Sequence, residues 1–260
     1  MLTRILTALP LIAGFVAALL WAPAELWLGL MALIVFLGAR EWAALARLSG
    51  MAALAYALGL TLAGLALHLM NIHAPWAYLL SLAFWLLAPG LLWRGVPLAG
   101  PGPLLPLGLV VLIPTFLAFV ELRQSAPGLL LALVALVAIA DSGAYFSGRR
   151  FGKHKLAPAI SPGKTWEGVA GAALAVMFYV LLLVWQFPTY LPVGLPLLLP
   201  MALFLLAVSI VGDLLESWIK RQAGVKDSGT LLPGHGGVLD RIDSLTAALP
   251  AAALFYAWMS

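Results

Sequence analysis

The sequence predicts an all-α protein, a polytopic membrane bundle of about nine transmembrane helices with a cytoplasmic N-terminus. Three observations carry that expectation. Apolar residues make up 64% of the chain and charged ones 9%, whereas a soluble domain carries about a quarter charged residues. Apolar runs recur at the length of about 20 residues that a helix needs to cross a bilayer. The cations are also distributed unevenly between the two sets of connections, as membrane topology requires.

Taken in order, the first two spans run roughly over 5–21 and 26–37, and a connecting loop holds Arg40, Glu41 and Arg47. The third and fourth cover 52–70 and 76–93, separated by Asn71, His73 and Pro75. A Pro/Gly-rich loop with Arg94 leads to the fifth, which runs to about Val120 and in which Pro114 invites a break. Glu121, Arg123 and Pro127 form a turn, and the sixth span carries Asp141 and Tyr145 toward a basic loop. The seventh covers 166–187, the eighth 192–211 and the ninth 245–258, with Trp and Tyr clustered at span ends as interfacial anchors. We divide the chain into N-terminal transmembrane helices over 1–125 and a C-terminal catalytic transmembrane region over 126–260. The latter carries cytoplasmic polar loops 147–164 and 214–243. The first four spans read only as membrane embedding.

With the N-terminus inside, the cytoplasmic connections collect Arg4, Arg40, Arg47, Arg94, Arg149, Arg150, Lys153, Lys155, Lys164, Lys220, Arg221, Lys226 and Arg241. The opposite face receives only Arg123. The basic balance thus follows from topology, and no nucleic-acid partner is implied. The absence of cysteine excludes disulfides and thiolate chemistry. Arg4 before an apolar run could mimic a signal peptide, but the many following spans favour an uncleaved anchor.

The stretch 213–244 holds five of the ten acidic side chains. Asp213, Glu216 or Ser217, and Lys220 recur at helical spacing and share one face. Asp240 and Asp243 share another, and two carboxylates one turn apart suit Mg²⁺, which keeps waters for substrate phosphates. Between them lie Lys226, Asp227, His235, Gly236 and Gly237; glycines admit close approach of an anion to backbone N–H groups. Lys220, Arg221 and Arg241 add charge for a polyanion. His235 reads as a phosphate contact or proton donor. Any single cation here also reads as a topological charge; the combination is what points to chemistry.

The second polar stretch runs from Asp141 to Glu167. An ionisable group inside an apolar span is by default a functional residue, although Asp141 is also near enough to the helix end to reach interfacial water. Ser161-Pro162-Gly163-Lys164-Thr165 is not a P-loop, because that motif needs glycine where Pro158 stands. It reads as a phosphate-contacting turn, with Lys164 the contributor. His68 and His73 lack metal-ligand spacing and read as incidental interfacial residues.

Ser217-x-x-Lys220-Arg221-x4-Lys226-Asp227-x5-Pro233-x-His235-Gly236-Gly237-x-x-Asp240-Arg241-x-Asp243 resembles the signature of the phosphatidate cytidylyltransferase (CDP-diacylglycerol synthase) family. Asp141-Ser142-Gly143-Ala144-Tyr145 and Gly152-Lys153-His154-Lys155-Leu156-Ala157-Pro158, with 161–165, resemble its bacterial members. The likeness covers roughly the C-terminal half. It implies transfer of CMP from CTP to phosphatidate, with Mg²⁺ as cofactor, in phospholipid biosynthesis at the bacterial cytoplasmic (inner) membrane. A second, monovalent cation is compatible with it.

By the same resemblance Asp227, Asp240 and Asp243 are candidates for cation and nucleotide binding; Asp213 is a further candidate metal ligand on the chemistry of the site rather than on the resemblance. Lys226 and Arg241 complete the catalytic set. Asp141, Lys164, Ser217, Lys220, Arg221, His235, Gly236 and Gly237 are the expected substrate contacts. A homodimer is compatible with the sequence, though no motif requires one. Two alternatives stand beside this reading: a CTP-dependent lipid-alcohol kinase, and a transporter, which should show matched broken helices in both halves.

Overall fold

The computed structural model describes residues 2–70, 72, 75–187, 194–231, 234 and 236–259, residues 2–9 in backbone only. His73 and His235 lie outside the described residues. Nine helices follow one another among them: α1 (Leu2–Trp21), α2 (Ala24–Leu45), α3 (Gly50–Leu69), α4 (Pro75–Trp93), α5 (Pro101–Ser125), α6 (Pro127–Phe151), α7 (Trp166–Gln186), α8 (Leu195–Gln222) and α9 (Leu239–Met259). Eight of these, α2 to α9, are long and apolar enough to cross a bilayer. The chain is a polytopic helical membrane protein.

The helices outrun the apolar stretches that announce them. α2 continues past Leu37 through Arg40 and Glu41, α6 reaches Phe151, α8 runs on to Gln222, and α9 begins at Leu239 rather than Leu245. The polar segments 147–164 and 214–243 are therefore loops only in part. Hydropathy marks where lipid-compatible residues stop, whereas the helix ends where its hydrogen bonding does. Arg, Glu and Lys propagate a helix well. α8 ends only at Gly224, whose positive φ of 77° permits a Schellman turn. There Gly224 N–H bonds to Arg221 O and Val225 N–H to Lys220 O, at 3.1 and 3.0 Å. The basic loop also holds a short antiparallel hairpin that periodicity had not revealed, β1 (Lys155–Ala157) and β2 (Ser161–Thr165).

α5 and α9 form the centre, with 67% of each span window buried, while the other spans are 22–39% buried. α5 is continuous through Pro106 and Pro114, so the break that Pro114 invited does not occur. Neighbouring side chains bond to its backbone from outside. Trp42 Nε1 donates to Leu104 O at 2.7 Å, Tyr56 Oη to Leu105 O at 2.8 Å and Trp27 Nε1 to Phe119 O at 3.2 Å. Gly108 leaves room for the Trp42 and Tyr56 groups. Thr115 Oγ1 donates to Val111 O and reaches Thr246 O across the α5–α9 contact. Arg123, the single cation expected on the opposite face, donates to Leu19 O and Ala22 O at the end of α1 and lies over the Trp27 ring. The helices of 1–125 thus pack directly on α9, whose neighbours include α2, α4 and α5 as well as α8.

Small residues set the close crossings, as expected where apolar helices gain nothing from hiding from lipid. A Cβ on Gly143 would sit 2.9 Å from Ala175 Cβ, and one on Gly168 3.0 Å from Ala144 O, so α6 and α7 nearly touch. At the α8–α9 crossing a Cβ on Gly212 would fall 2.7 Å from Asp243 O. Gly212→Ala should therefore lower the unfolding free energy in detergent by about 1–3 kcal/mol. Gly29→Ala, where an added Cβ meets nothing within 4 Å, should be tolerated. Equal thermal midpoints for the two variants would contradict this packing.

Candidate active site

The site occupies the polar end of α6, α8 and α9, where three close approaches bring charge together. The Gly212 crossing sets Asp213 of α8 beside Asp243 of α9, and Asp243 also lies against Glu216. Asp141 of α6 faces Asp213, Lys164 and Arg241. Lys164, presented by β2, forms an ion pair with Asp213 at 2.5 Å, both side chains about a quarter exposed. Ser217 Oγ donates to the other Asp213 oxygen at 3.2 Å.

The hairpin that carries Lys164 is fixed at its base. Glu167, in the first turn of α7, accepts the backbone N–H groups of Lys153 and His154 and pairs with His154 Nδ1 at 2.6 Å. Thr165 caps α7 by accepting Gly168 N–H at 3.1 Å. Lys155 Nζ donates to Pro162 O across the turn, and Arg221 Nε reaches Ile160 O at 3.4 Å. The segment read as a phosphate-contacting turn is thus a braced strand that holds Lys164 over the helix ends.

Beneath Lys164 opens a cavity of about 490 Å³. Its lining is polar at Arg149, Ser161, Lys164, Asp213 and Asp141, and apolar at Ala140, Ala172, Leu206 and Ile210. Asp141 is ten residues from the end of α6, about 15 Å along a helix at 1.5 Å per residue. The cavity therefore combines charged and apolar side chains in one lining. A second, wholly apolar hollow, lined by Leu136 of α6, Leu205 of α8 and Phe255 of α9, begins about one turn farther in.

Asp240 has a different place from the one expected beside Asp243. Its Oδ1 takes Lys220 Nζ at 2.6 Å, and its Oδ2 accepts Ser228 N–H at 2.9 Å, Ser228 Oγ–H at 3.0 Å and Gly237 N–H at 2.8 Å. Lys220 also pairs with Glu216 at 3.1 Å. Asp240 and Glu216 are each only 6% exposed and Lys220 is 11% exposed, so this is an almost dry triad. Lys220 and two backbone N–H groups hold the Asp240 carboxylate, with the Ser228 hydroxyl, whose one proton Glu41 also faces, as a fourth neighbour. Asp240 organises the loop, whereas Asp141 and Asp213 line the cavity and Asp243 lies against Asp213 and Glu216. Gly236, at φ +80°, packs where a Cβ would meet Asp240 Oδ2 at 2.5 Å and Asp227 Cβ at 3.4 Å.

Of the sequence-selected residues, Asp141, Lys164 and Asp213 line the cavity. Lys226, Asp227, Arg221 and Arg241 are exposed around it. Lys220, Asp240, Gly236 and Gly237 form the buried bracing behind it. Two participants escaped selection. Glu216 shared a face with Asp213 in the sequence, and that spacing was the available signal. Glu41, from α2, accepts Ser228 Oγ–H at 2.8 Å and the N–H groups of Val238 and Leu239 at 2.9 Å each. No local spacing links it to a segment that far along the chain.

Fold and cavity define a polytopic membrane protein with a cavity among its helices lined by cations and carboxylates. Comparison with known proteins narrows this class. A model of the cytidylyltransferase family matches residues 2–259. A phosphatidate cytidylyltransferase of Pseudomonas aeruginosa is 43% identical over 267 residues, covering 98% of this chain and 96% of that protein. Proteins of the same name from Haemophilus influenzae and Bacillus subtilis are 52% and 47% identical over 131 and 135 residues, covering 49% and 51% of this chain. Those alignments cover 45% and 49% of the two proteins. The chain belongs to the cytidylyltransferase family.

The buried triad makes a stability prediction independent of substrate. Lys220→Met leaves Glu216 and Asp240 buried without their cation, which should cost about 3–5 kcal/mol. Thermal unfolding in detergent measures it, and a midpoint equal to that of the parent protein would contradict the triad.

Proposed function

We propose that this protein transfers CMP from CTP to phosphatidate, giving CDP-diacylglycerol and pyrophosphate, on the cytoplasmic side of a bacterial inner membrane. The observation that carries the reading is the cavity lined by the Lys164–Asp213 pair together with apolar side chains. It lies in a chain that aligns nearly end to end with a protein named phosphatidate cytidylyltransferase. A soluble polyanion enters at the cations, and a lipid phosphate enters from the bilayer side with its chains toward Leu206 and Ile210.

The attacking group is an oxygen of the phosphatidate phosphate, and the bond formed joins it to the α-phosphorus of CTP. The bond broken is the one between that phosphorus and the bridging oxygen to the β-phosphate, which leaves with pyrophosphate. A phosphomonoester has a second pKa near about 6 and is largely dianionic at neutral pH, so no strong general base is required. The work of the protein is to hold two polyanions in line and to offset the charge that builds on the leaving group. Lys164, released from Asp213 when nucleotide arrives, takes one phosphate. Arg149 and Arg241 flank the mouth, and Lys226 and Arg221 attract CTP from outside.

The donor set fits Mg²⁺ in kind. Among the described residues no three His, Asp or Glu side chains enclose an ion on their own, but this cation needs only one or two carboxylates plus substrate oxygens. Asp213 and Asp243 would hold it, with Asp141 beside them. Glu216, bonded to Lys220 and Asp243, lies beside that pair. When bound, the ion would neutralise charge on the triphosphate. Asp240 holds the loop to α9, and Asp227 sits at the loop surface beside Gly236.

Purified protein with CTP, Mg²⁺ and phosphatidate should release pyrophosphate, and omission of any one component should abolish release. Asp243→Asn and Asp213→Asn should each lower kcat at least about 100-fold while the protein remains folded and inserted. Full activity in folded Asp243→Asn would overturn the assignment of that carboxylate. Formation of CDP with a lipid alcohol, without pyrophosphate, would replace the reading with a kinase.

A further inference from the structure

We propose that Glu41 is a positioning residue for this reaction, a brace from the N-terminal helices that fixes the loop after α8 and the first turn of α9. The proposal rests on the cytidylyl-transfer reading. Glu41 lies in the last turns of α2, in the part of the chain where the sequence shows only membrane embedding. Its Oε1 accepts Val238 N–H, and its Oε2 accepts both Leu239 N–H and the Ser228 hydroxyl. Val238 and Leu239 open α9, so Glu41 satisfies N–H groups that a helix start leaves without intrahelical partners and puts negative charge at the positive end of its dipole.

The loop is shaped around this carboxylate. A Cβ on Gly229 would sit 2.7 Å from Glu41 Oε1, and one on Gly237 would collide with Oε2 and with Ser228 Oγ. Ser228 Oγ lies 2.8 Å from Glu41 and 3.0 Å from Asp240. A hydroxyl has one proton to donate, so Ser228 bonds one carboxylate at a time and stands between those of α2 and α9. Asp243 stands one turn farther along α9. A shift of the first turn of α9 therefore moves the carboxylate that faces Asp213, and a displacement of about 1 Å at a reacting centre costs on the order of 100-fold in rate.

Glu41→Gln keeps the size of the side chain but turns one acceptor oxygen into an NH₂ that meets N–H donors. The expected result is a fall in kcat per folded molecule of about 10- to 100-fold. Trypsin should also cut faster after the exposed Lys226. Ser228→Ala should show the same pair of effects, and the double variant should lose little more than either single one, because both act through one relay. Glu25→Gln, exposed at the opposite end of α2, is the control with parent activity. If Glu41→Gln does not insert, Ser228→Ala carries the same test. A variant that keeps the parent kcat per folded molecule and the parent trypsin rate, changing only the thermal midpoint, overturns the positioning role. Absence of pyrophosphate release from the parent protein would overturn the reaction instead, and the trypsin comparison would still read the brace.

Discussion

Every part of the site depends on how the Asp240 carboxylate is satisfied. A charge at the edge of an apolar bundle is tolerated only when paired and hydrogen-bonded. Asp240 obtains Lys220 from α8 and the backbone N–H groups of Ser228 and Gly237, with the Ser228 hydroxyl beside them. Those contacts hold α8, the loop and α9 in one arrangement. Lys220 in turn holds Glu216, and Ser228 reaches Glu41 on α2. Breaking such a buried pair leaves an uncompensated charge, so the arrangement has few alternatives. Its rigidity is what lets the neighbouring cavity keep like charges close together.

The charged residues thus form two tiers. The inner tier, Glu216, Lys220, Asp240 and Glu41, spends its hydrogen bonds on the protein. The outer tier, Asp141, Lys164 and Asp213, lines the cavity, with Asp243 just behind it against Asp213 and Glu216. This division suits the proposed reaction between two polyanions, which needs preorganised charge. The close α6–α7 and α8–α9 crossings made by Gly143, Gly168 and Gly212 bring the outer tier together.

Much of the fold was legible because lipid imposes strong rules. Apolar length located every helix, and the likeness over the C-terminal half located both polar segments. The end of α2 differs from the reading where Arg40 and Glu41 continue the helix beyond its apolar part, whereas the helical spacing of Asp213 to Lys220 already pointed to the continuation of α8. At the site, Asp141, Lys164 and Asp213 could be read from charge in an apolar context. The separate duties of Asp240 and Asp243 could not, since spacing places both on one face and only the loop's donors distinguish them. Glu41 was illegible for a similar reason. Its partners are brought to it by the packing of α2 near α9, which no local pattern encodes.

The most direct test of the account follows the label of CTP into product. Protein supplied with phosphatidate and Mg²⁺ is given CTP labelled in either the α- or the γ-phosphate. The account predicts α-label in the lipid fraction and γ-label in pyrophosphate. γ-Label in the lipid, with α-label left in a soluble nucleotide, would contradict it.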